Sequence, residues 1–569
     1  MNQNYSDEQI MEQYALWLKN VPENDELYSR LIAMKDDFEQ INDSFYTQIA
    51  FGTGGLRGKL GPGPNRMNVY TVERATKGIA DYLNERIAEE NAIAKVAIAF
   101  DSRINSRLFA QCAAAVFAAK GIKAYIYPSM QPTPVLSYTV RHLECTAGIC
   151  ITASHNPSEY NGYKAYGADG SQYMDEECAL ITEKIEKISY FDGNGRADYQ
   201  RGLEEGMIIE ISEDTVNDFL DTVYSNRLEC GAGDTKLKVA YTPLNGTGRH
   251  CVTSILKRCG NADITIVSEQ AQPDGLFPTC PYPNPEMAEA LKLGIALCEE
   301  TKADLLIASD PDCDRMALAP FSGGRCHRLS GNEVGVLFFD YICKMRIKNN
   351  TMPDRPYMIT TIVSTGMIDA LAEKYNVEVI RTLTGFKYIG GKIGELERIG
   401  RKKDFIFGFE ESIGYMIGDY TRDKDGVGAA MMACDMAKYE KSRGGDLYTA
   451  MQELYAEHGY YMCDTQSFTF PGEEGMFTMA GIMNSLRECP PSKMGENEIT
   501  SRIDYNEGIN GMVPSNVLEY NIKGGKLVIR PSGTEPKIKA YAFSNHSDKA
   551  ESERILAELK ETAVMLIEK

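Results

Sequence analysis

A short apolar run that ends in a polar elbow, G-I-C-I-T-A-S-H-N-P at residues 148–157, most constrains how this chain can fold. Its β-branched residues favour a β-strand, and Asn156-Pro157 marks a turn that cannot continue the strand. Open α/β folds bind ligands at the carboxyl ends of their strands, so we expect Ser154 to lie at such an end. For a serine alone, an ordinary strand-to-loop junction is the favoured explanation, so the rest of the chain must decide.

Three aspartates at alternate positions, Asp310, Asp312 and Asp314, follow a second apolar run. In an extended chain the outer two would stand about 13 Å apart, too far to share one ion. The loop must therefore curl. Three carboxylates brought together repel one another unless a cation joins them, and their hard oxygen ligands suit Mg²⁺. An EF-hand is excluded, because Arg315 and Phe321 occupy the positions where that loop needs glycine and glutamate. A solvated acidic turn is the remaining alternative.

A third loop, G-F-E-E-S-I-G at residues 408–414, also follows an apolar run. Its Glu410 and Ser412 offer a carboxylate and a hydroxyl, which together hold sugar hydroxyls. A helix cap would use the same two side chains.

A fourth loop, R-P-S-G-T-E-P-K at residues 530–537, lies between two strand-like segments. Successive amides of such a turn can form an anion-binding concavity. Arg530 and Lys537 add positive charge, and arginine binds phosphate through two parallel hydrogen bonds. A tight hairpin would need the glycine but not two cations and two hydroxyls, so the loop indicates a phosphate site.

In this order, the strings T-A-S-H-N-P, D-P-D-C-D-R, G-F-E-E-S-I-G and R-P-S-G-T-E-P-K resemble the four signatures of the α-D-phosphohexomutase superfamily. With G-T-G-G-L-R-G at residues 52–58, the resemblance runs from about residue 50 to residue 540. Four motifs in order with domain-sized gaps make a chance match implausible.

The resemblance implies a role for each site residue. Ser154 would carry a phosphoryl group, and Asp310, Asp312 and Asp314 would hold Mg²⁺ with an oxygen on Ser154 as a further ligand. The remaining residues fall into three sets: catalytic Arg57 and Lys164; substrate-binding Arg315, Thr384, Gly385, Lys387, Glu410 and Ser412; and phosphate-binding Arg530, Ser532, Gly533, Thr534 and Lys537.

Lys164 and His155 each bear on where the proton of the attacking hydroxyl goes. Lys164 is the expected general base, because a lysine surrounded by cations can have its pKa lowered towards neutrality. His155 neighbours Ser154, but adjacent residues of a strand point to opposite faces. We therefore expect His155 to make a structural hydrogen bond and not to act as the base.

The reaction implied by the resemblance converts α-D-glucose 1-phosphate and glucose 6-phosphate into each other through glucose 1,6-bisphosphate, which also serves as activator. The E-E-S-x-G form favours glucose, and Gly414 stands where the dual mannose/glucose branch has histidine. The D-P-D loop also resembles a subgroup that acts on pentose 1-phosphates. A glucose 1,6-bisphosphate synthase and a non-catalytic sugar-phosphate binder are further alternatives.

Length and local pattern agree with this family. A chain of 569 residues exceeds the size at which one core keeps growing. Short apolar runs alternate with amphipathic segments, as in βαβ units. We expect three doubly wound α/β domains with mixed sheets, at residues 1–220, 221–335 and 336–455, and a smaller α+β domain at residues 456–569, arranged around a central cleft.

Charge and composition exclude several classes of partner. A net charge of −21 argues against nucleic acid and anionic membranes, so a small sugar phosphate is the expected partner. No stretch approaches the roughly 20 apolar residues of a membrane span, and the N-terminal residues do not read as a signal peptide. The 15 cysteines form no C-x-x-C pair, which indicates buried thiols in a reducing cytoplasm. The oligomeric state stays open.

Because a sugar phosphate is itself an anion, the acidic chain needs a local concentration of positive charge. We expect five cations to converge on one cleft: Arg57, Lys164, Arg315, Arg530 and Lys537.

Overall fold

A computed structural model describes residues 5–52, 54–87, 93–192, 198–260, 262–470, 475–509, 511–532 and 537–568. Within these ranges, four β-sheets and their helices form three α/β domains and a C-terminal α+β domain, which confirms the predicted fold class. No helix in the described part of the chain combines the length and the apolar character needed to cross a bilayer.

The first domain is a mixed sheet flanked by helices. Its elements are α1 (Asp7–Asn20), α2 (Glu26–Ala33), α3 (Phe38–Phe45), β1 (Gly55–Lys59), α4 (Val69–Ile87), β2 (Lys95–Phe100), α5 (Ser106–Ala119), β3 (Lys123–Ile126), α6 (Thr133–His142), β4 (Ala147–Ile151), β5 (Tyr160–Gly167), α7 (Asp175–Glu186), α8 (Tyr199–Glu204), β6 (Ile208–Glu210) and α9 (Glu213–Ser225). The strand order is β1-β5-β4-β2-β3-β6, with β1 and β5 antiparallel to their neighbours.

The second domain repeats this arrangement on a smaller scale. Its elements are β7 (Leu237–Thr242), α10 (Gly248–Arg258), β8 (Ala262–Ile266), α11 (Ala288–Thr301), β9 (Leu305–Ser309), β10 (Met316–Ser322) and β11 (Arg325–Cys326). The strand order is β11-β10-β9-β7-β8, in which β7 is parallel to β8 and β9, and β10 is antiparallel to β9.

The third domain has a four-stranded sheet in the order β13-β12-β14-β15. Its elements are α12 (Gly331–Lys348), β12 (Tyr357–Thr361), α13 (Met367–Tyr375), β13 (Glu378–Thr382), α14 (Phe386–Arg398), β14 (Phe405–Glu410), β15 (Gly414–Met416), α15 (Gly426–Ser442) and α16 (Leu447–His458). Strands β12, β13 and β14 are parallel, and β15 is antiparallel to β14.

The fourth domain is an antiparallel sheet with two helices. Its elements are β16 (Tyr460–Thr469), α17 (Gly475–Glu488), β17 (Lys493–Met494), β18 (Asn497–Asp504), β19 (Leu518–Ile522), β20 (Gly525–Pro531), β21 (Lys537–His546) and α18 (Lys549–Ile567). The strand order is β16-β21-β20-β19-β18-β17. The closing helix expected near the C-terminus is present as α18.

The predicted domain limits are less informative than the predicted strands. The limits at residues 220, 335 and 455 fall inside α9, α12 and α16, whereas chains usually change domain in exposed linkers. The four sheets each lie within one predicted segment, but the limits themselves stay predictions.

The three α/β domains share one core order that no sequence repeat revealed. In each, two parallel βα units lead to a third parallel strand, and a loop then returns as an antiparallel strand. The three return loops follow β4, β9 and β14, and each contains one non-glycine residue in the left-handed region: Ser154 (φ 51°), Cys313 (φ 53°) and Ile413 (φ 52°). These are the loops that carry the first three predicted motifs.

The fourth domain packs on the third through a shared apolar cluster. Ile362 and Val363 of the third domain are buried with Val528 and Tyr541 of the fourth. Lys526 Nζ donates to the Ile362 carbonyl oxygen at 2.8 Å across the same boundary. This packing brings the predicted phosphate-binding loop at residues 530–537, called the phosphate loop below, next to the third domain. That domain carries the predicted sugar-binding loop at residues 408–414, called the sugar loop below.

One glycine couples the third domain's first helix to the sugar loop. A Cβ atom on Gly331, the first residue of α12, would lie 1.9 Å from the Glu411 carbonyl oxygen. Because that contact is with backbone, we expect Gly331→Ala to lower the free energy of unfolding by roughly 1–3 kcal/mol. The midpoint of thermal unfolding measures the effect.

Gly481→Ala is the matched control, because Gly481 lies in α17 with nothing within 4 Å of the added methyl group. We expect it to stabilise the protein by up to about 1 kcal/mol. Equal changes of the thermal midpoint in the two variants would show that the backbone near Glu411 moves to make room for the methyl group without loss of stability.

Candidate active site

The aspartate loop between β9 and β10 is buried and curled. Asp310, Asp312 and Asp314 are 0%, 0% and 1% exposed. One carboxylate oxygen of each lies within 4.8 Å of the others. Cys313, which adopts the left-handed conformation, turns the chain between them. The prediction that this loop curls to bring its carboxylates together is confirmed.

Two lysines from the other α/β domains neutralise this loop. Lys164 Nζ on β5 donates to Asp312 Oδ2 at 2.7 Å and to Asp314 Oδ2 at 3.1 Å. Lys424, between β15 and α15, forms an ion pair with Asp314 Oδ2 at 3.3 Å. Burial opposes the ionisation of Asp314, but the surrounding cations, Lys164 first, hold its pKa below the ordinary value.

The unsatisfied oxygens of the loop fit a divalent cation. Among the residues that the structure describes, Asp312 Oδ1 and Asp314 Oδ1 are buried without a hydrogen-bond partner. Burial, followed by repulsion from the other two carboxylates, raises the pKa of Asp310 well above its ordinary value. Hard, converging oxygen ligands of this kind suit Mg²⁺.

Ser154 lies against the aspartate loop from the first domain. Its Oγ donates to Asp310 Oδ2 at 3.0 Å. The elbow is held by Arg103, whose buried guanidinium donates to the Ser154 carbonyl oxygen at 2.6 Å and to the Pro157 carbonyl oxygen at 2.8 Å. A group carried on Ser154 Oγ would therefore lie beside any cation that the Asp310 carboxylate binds.

The expected orientation of His155 is wrong. Its Nδ1 lies 3.1 Å from Ser154 Oγ, and its ring also contacts the Arg315 guanidinium. The two side chains meet because β4 ends at Ile151 and Ser154 is in the left-handed region, so the alternation of a strand no longer applies. Burial and then the charges of Arg315 and Arg57 lower the pKa of His155, which favours the neutral ring.

The predicted environment of Lys164 is also wrong. Carboxylates and not cations contact its amine, and although burial favours the neutral form, Asp312 and then Asp314 raise the pKa of Lys164 above its ordinary value. In this arrangement Lys164 is a charged hydrogen-bond donor, so the amine is not poised to accept a proton while both contacts hold.

The two arginines of the site approach from different domains. Arg57 pairs with Gly162 in the β1–β5 ladder, and its charge helps to lower the pKa of His155. The Arg315 backbone N–H donates to Asp310 Oδ1 at 3.0 Å, and Arg315 forms an isolated bridge with Gly414 of the third domain. Both cations therefore lie near the groups around Ser154.

The sugar loop follows β14 and folds over a second loop of the same domain. Glu410 Oε1 accepts a hydrogen bond from the Gly385 backbone N–H at 2.7 Å. Within the described ranges, the adjacent Thr384 Oγ1 is buried without a hydrogen-bond partner. Ser412 is half-buried next to the left-handed Ile413. The structure thus brings the predicted Thr384, Gly385 and Glu410 together.

Glu411, which was not assigned a role from the sequence, has a raised pKa. Thr361 Oγ1 donates to Glu411 Oε2 at 3.0 Å. Burial and then repulsion by Glu410 raise the pKa of Glu411 to about 7, and Lys539 of the fourth domain opposes that rise. A charge of the fourth domain therefore acts on this loop of the third domain.

Lys387 is engaged by the first domain. Its Nζ forms an ion pair with Asp175 Oδ1 at 2.5 Å, and the neighbouring Tyr388 hydroxyl donates to Asp175 Oδ2 at 3.0 Å. A phosphate would have to displace Asp175 to reach this amine.

Gly414 leaves room for Lys424. A Cβ atom at this position would lie 2.3 Å from Lys424 Cδ and 2.9 Å from Lys424 Cγ. A histidine here would push the lysine away from Asp314, so the charge balance of the aspartate loop is a physical reason for the glycine.

The phosphate loop is described at its two ends. The Ser532 backbone N–H donates to the Lys537 carbonyl oxygen at 2.8 Å, which closes the turn between β20 and β21. Arg530 pairs across these strands with Lys539. The predicted Gly533 and Thr534 lie outside the described residues.

Sequence reasoning missed the charged segment after β15. Asp423 Oδ2 accepts hydrogen bonds from the Tyr166 hydroxyl and from Gln172 Nε2, each at 2.9 Å. Asp423 Oδ1 in turn pairs with Lys424 at 3.1 Å. The signal was present in the string D-K-D at residues 423–425, a charged run that follows a short strand as the other motifs do.

Four domain models of one family match the chain in order. They are described as phosphoglucomutase/phosphomannomutase alpha/beta/alpha domain I at residues 48–191, domain II at residues 217–322, domain III at residues 330–457 and the C-terminal domain at residues 492–562.

Similar proteins carry related names. A phosphoglucomutase of Staphylococcus haemolyticus is 34% identical over 519 residues, which cover 88% of this chain and 91% of that protein. A human phosphopentomutase is 32% identical over 552 residues, covering 91% of this chain and 88% of its own. The crystal structure of the Paramecium phosphoglucomutase parafusin in its open form shares the fold, with a TM-score of 0.67, 17% identity, and coverage of 92% and 96% of the two chains.

The raised pKa of Glu411 predicts a pH dependence of stability. Between about pH 4.3, the ordinary pKa of glutamate, and the folded-state value, the folded protein binds more protons here than the unfolded chain. This contribution to stability is complete below that window and is lost as pH rises through about 7. We therefore expect the midpoint of thermal unfolding to fall less for Glu411→Gln than for the wild type when the pH is raised from about 5 to about 8.

Glu373→Gln, which changes an exposed glutamate on α13, is the control and should follow the wild type at both pH values. If the wild-type and Glu411→Gln midpoints change in parallel, the Glu411 side chain is ionised in the folded protein throughout this range.

Proposed function

The chain belongs to the phosphoglucomutase/phosphomannomutase family of isomerases, and from that premise we propose that it interconverts α-D-glucose 1-phosphate and glucose 6-phosphate. The observation that carries the proposal is the 3.0 Å hydrogen bond from Ser154 Oγ to Asp310 Oδ2, at the edge of a buried loop of three aspartates. A serine hydroxyl beside a cation site is the arrangement that phosphoryl transfer needs, because that reaction depends on alignment and charge stabilisation.

In the proposed reaction Ser154 carries a phosphoryl group in the active enzyme. Asp310, Asp312 and Asp314 would hold Mg²⁺, which when bound neutralises charge on the transferring oxygens. The buried Arg103 fixes the carbonyl groups of the elbow, so the serine is held at one orientation. Arg315 and Arg57 supply positive charge beside it.

The substrate must be bound in two reversed orientations. Phospho-Ser154 gives its group to the free hydroxyl of the sugar monophosphate, which forms glucose 1,6-bisphosphate and leaves a free serine. The bisphosphate then turns end for end and returns its other phosphate to Ser154. Glu410 and Ser412 would hold ring hydroxyls in both orientations, and the loop that includes Arg530, Ser532, Gly533, Thr534 and Lys537 would bind the phosphate that is not transferred.

The proton of the attacking hydroxyl needs an acceptor near Ser154. Lys164 contacts the aspartate loop against which Ser154 lies, but it first has to give up its ion pairs with Asp312 and Asp314. We therefore assign Lys164 as the cation that holds the aspartate loop against the first domain, with proton transfer dependent on the release of those contacts.

Two observations bear on the choice of sugar. The E-E-S-x-G loop and the phosphoglucomutase relative at 34% identity favour glucose. The human phosphopentomutase relative, at 32% identity, makes a pentose 1-phosphate the second candidate substrate. Three further alternatives would use the same loops: a mannose-specific mutase, a glucose 1,6-bisphosphate synthase and a non-catalytic binder. One assay of mutase activity distinguishes them from the proposed function.

That assay compares kcat/KM for glucose 1-phosphate, mannose 1-phosphate and ribose 1-phosphate in the presence of Mg²⁺ and a trace of glucose 1,6-bisphosphate. We expect a preference for glucose 1-phosphate, and a loss of at least about 10⁴-fold in Ser154→Ala, because the nucleophile is removed. A preference for ribose 1-phosphate would identify a phosphopentomutase. Near-wild-type activity of Ser154→Ala would remove Ser154 from the mechanism.

The phosphate loop predicts a separate kinetic effect. Because Lys537 would bind a phosphate in ground and transition states alike, Lys537→Ala should raise KM about tenfold to a hundredfold and change kcat little. Lys523→Ala, which changes an exposed lysine in the same domain, should leave both constants unchanged. A large fall in kcat at constant KM would place Lys537 in the chemical step instead.

A further inference from the structure

Helix α6 of the first domain begins directly against the aspartate loop of the second domain. Its first residue, Thr133, is fully buried and lies outside the four sequence motifs. The Thr133 backbone N–H donates to the Asp312 carbonyl oxygen at 2.8 Å. The Thr133 hydroxyl donates to Asp312 Oδ2, also at 2.8 Å. One residue of the first domain thus holds both the main chain and the side chain of a predicted metal ligand.

The two oxygens of the Asp312 carboxylate have different surroundings. Oδ2 accepts a hydrogen bond from Lys164 Nζ at 2.7 Å in addition to the one from Thr133. A carboxylate oxygen offers about two lone pairs, so these two donors saturate Oδ2. Oδ1, in contrast, is buried and has no hydrogen-bond partner within the described part of the chain. Asp312 is therefore left with one oxygen for a metal ion.

The Thr133 hydroxyl is itself held by a neighbouring strand. Cys150 on β4 is fully buried, and its Sγ lies 3.4 Å from Thr133 Oγ1. The hydroxyl has one proton, which the carboxylate accepts, so the Cys150 thiol is the donor in this second contact. Strand β4 also leads to Ser154, and the contact therefore links the position of Asp312 to that of the serine.

We propose that Thr133 is a positioning residue that restricts Asp312 to one metal-binding oxygen and thereby favours Mg²⁺ over Ca²⁺. The proposal rests on the proposed function, which requires a cation in the aspartate loop. Mg²⁺ demands a nearly octahedral set of ligands, whereas Ca²⁺ takes about six to eight oxygens and accepts both oxygens of a carboxylate. Without the Thr133 hydroxyl, Oδ2 keeps a lone pair that a larger ion can use.

Competition for a bound Mn²⁺ ion tests the proposal. Mn²⁺ shares the octahedral oxygen coordination of Mg²⁺. The full-length protein is treated with EDTA and titrated with Mn²⁺, and the free Mn²⁺ is measured by electron paramagnetic resonance before Mg²⁺ or Ca²⁺ is added as competitor. The intact mass of each sample verifies that wild type and variants carry the same phosphorylation state.

We expect Thr133→Val to bind Mg²⁺ about tenfold to a hundredfold more weakly, because groups that orient metal ligands contribute on that scale. The affinity for Ca²⁺ should fall less, so that the ratio of the Ca²⁺ Kd to the Mg²⁺ Kd decreases at least about threefold. A ratio that does not change in Thr133→Val would overturn the proposal.

Further variants separate the hydroxyl from the packing of the helix. Thr133→Ser keeps the hydroxyl and should retain the wild-type ratio. Thr133→Ala differs from Thr133→Ser in the hydroxyl alone, so this pair gives the same comparison if Thr133→Val does not fold. Thr139→Val removes another buried hydroxyl of α6, which donates to the Val135 carbonyl oxygen at 2.7 Å, and should also keep the wild-type ratio. A lower ratio in Thr139→Val would show that looser packing of α6 is sufficient, and Thr133 would lose its assigned role.

The result is separable from that of the mutase assay. A lower ratio in Thr133→Val together with a wild type that has no mutase activity would support the role of Thr133 and reject the proposed reaction. An unchanged ratio together with an active wild type would do the reverse. If the wild type binds no Mn²⁺, the role of Thr133 is rejected, because the loop then has no cation to select.

Discussion

Burying three carboxylates in one loop is the constraint on which the arrangement of the domains depends. Asp310, Asp312 and Asp314 are almost fully removed from water, and isolated buried charges of this kind are strongly unfavourable. The compensation comes from outside their own domain, because Lys164 belongs to the first domain and Lys424 to the third. The charge balance of one loop therefore holds three domains in a fixed relation.

The return loops of the three α/β domains explain how the groups meet. Each loop leaves the carboxyl end of a parallel strand and returns antiparallel, with a single left-handed residue at its turn. These loops carry a serine hydroxyl, three buried aspartates and a pair of glutamates, and they meet where Ser154 contacts Asp310 and where Arg315 bridges to Gly414. The same backbone solution thus supplies three different chemistries, and only the side chains distinguish them.

The features that could be predicted from the sequence were those that depend on residues close together in the chain. The strands before Ser154, Asp310 and Glu410 were visible as apolar runs, and the curl of the aspartate loop followed from the distance over which three carboxylates can share one cation. The orientation of His155 was not predictable, because it depends on where β4 stops and on the left-handed Ser154. The charge partners of Lys164 were misjudged because they are contacts between domains, which no local pattern encodes.

The sequence separation between residues that contact each other in the site has a consequence for the synthesis of the protein. The serine and the aspartate that meet in the site are 156 residues apart, so at about 5–20 residues per second the ribosome needs roughly 8–30 s to supply the second after the first. During that interval Lys164 of the nascent first domain has no carboxylate to meet. The first domain therefore passes part of its synthesis without the two carboxylates that neutralise Lys164 in the folded protein.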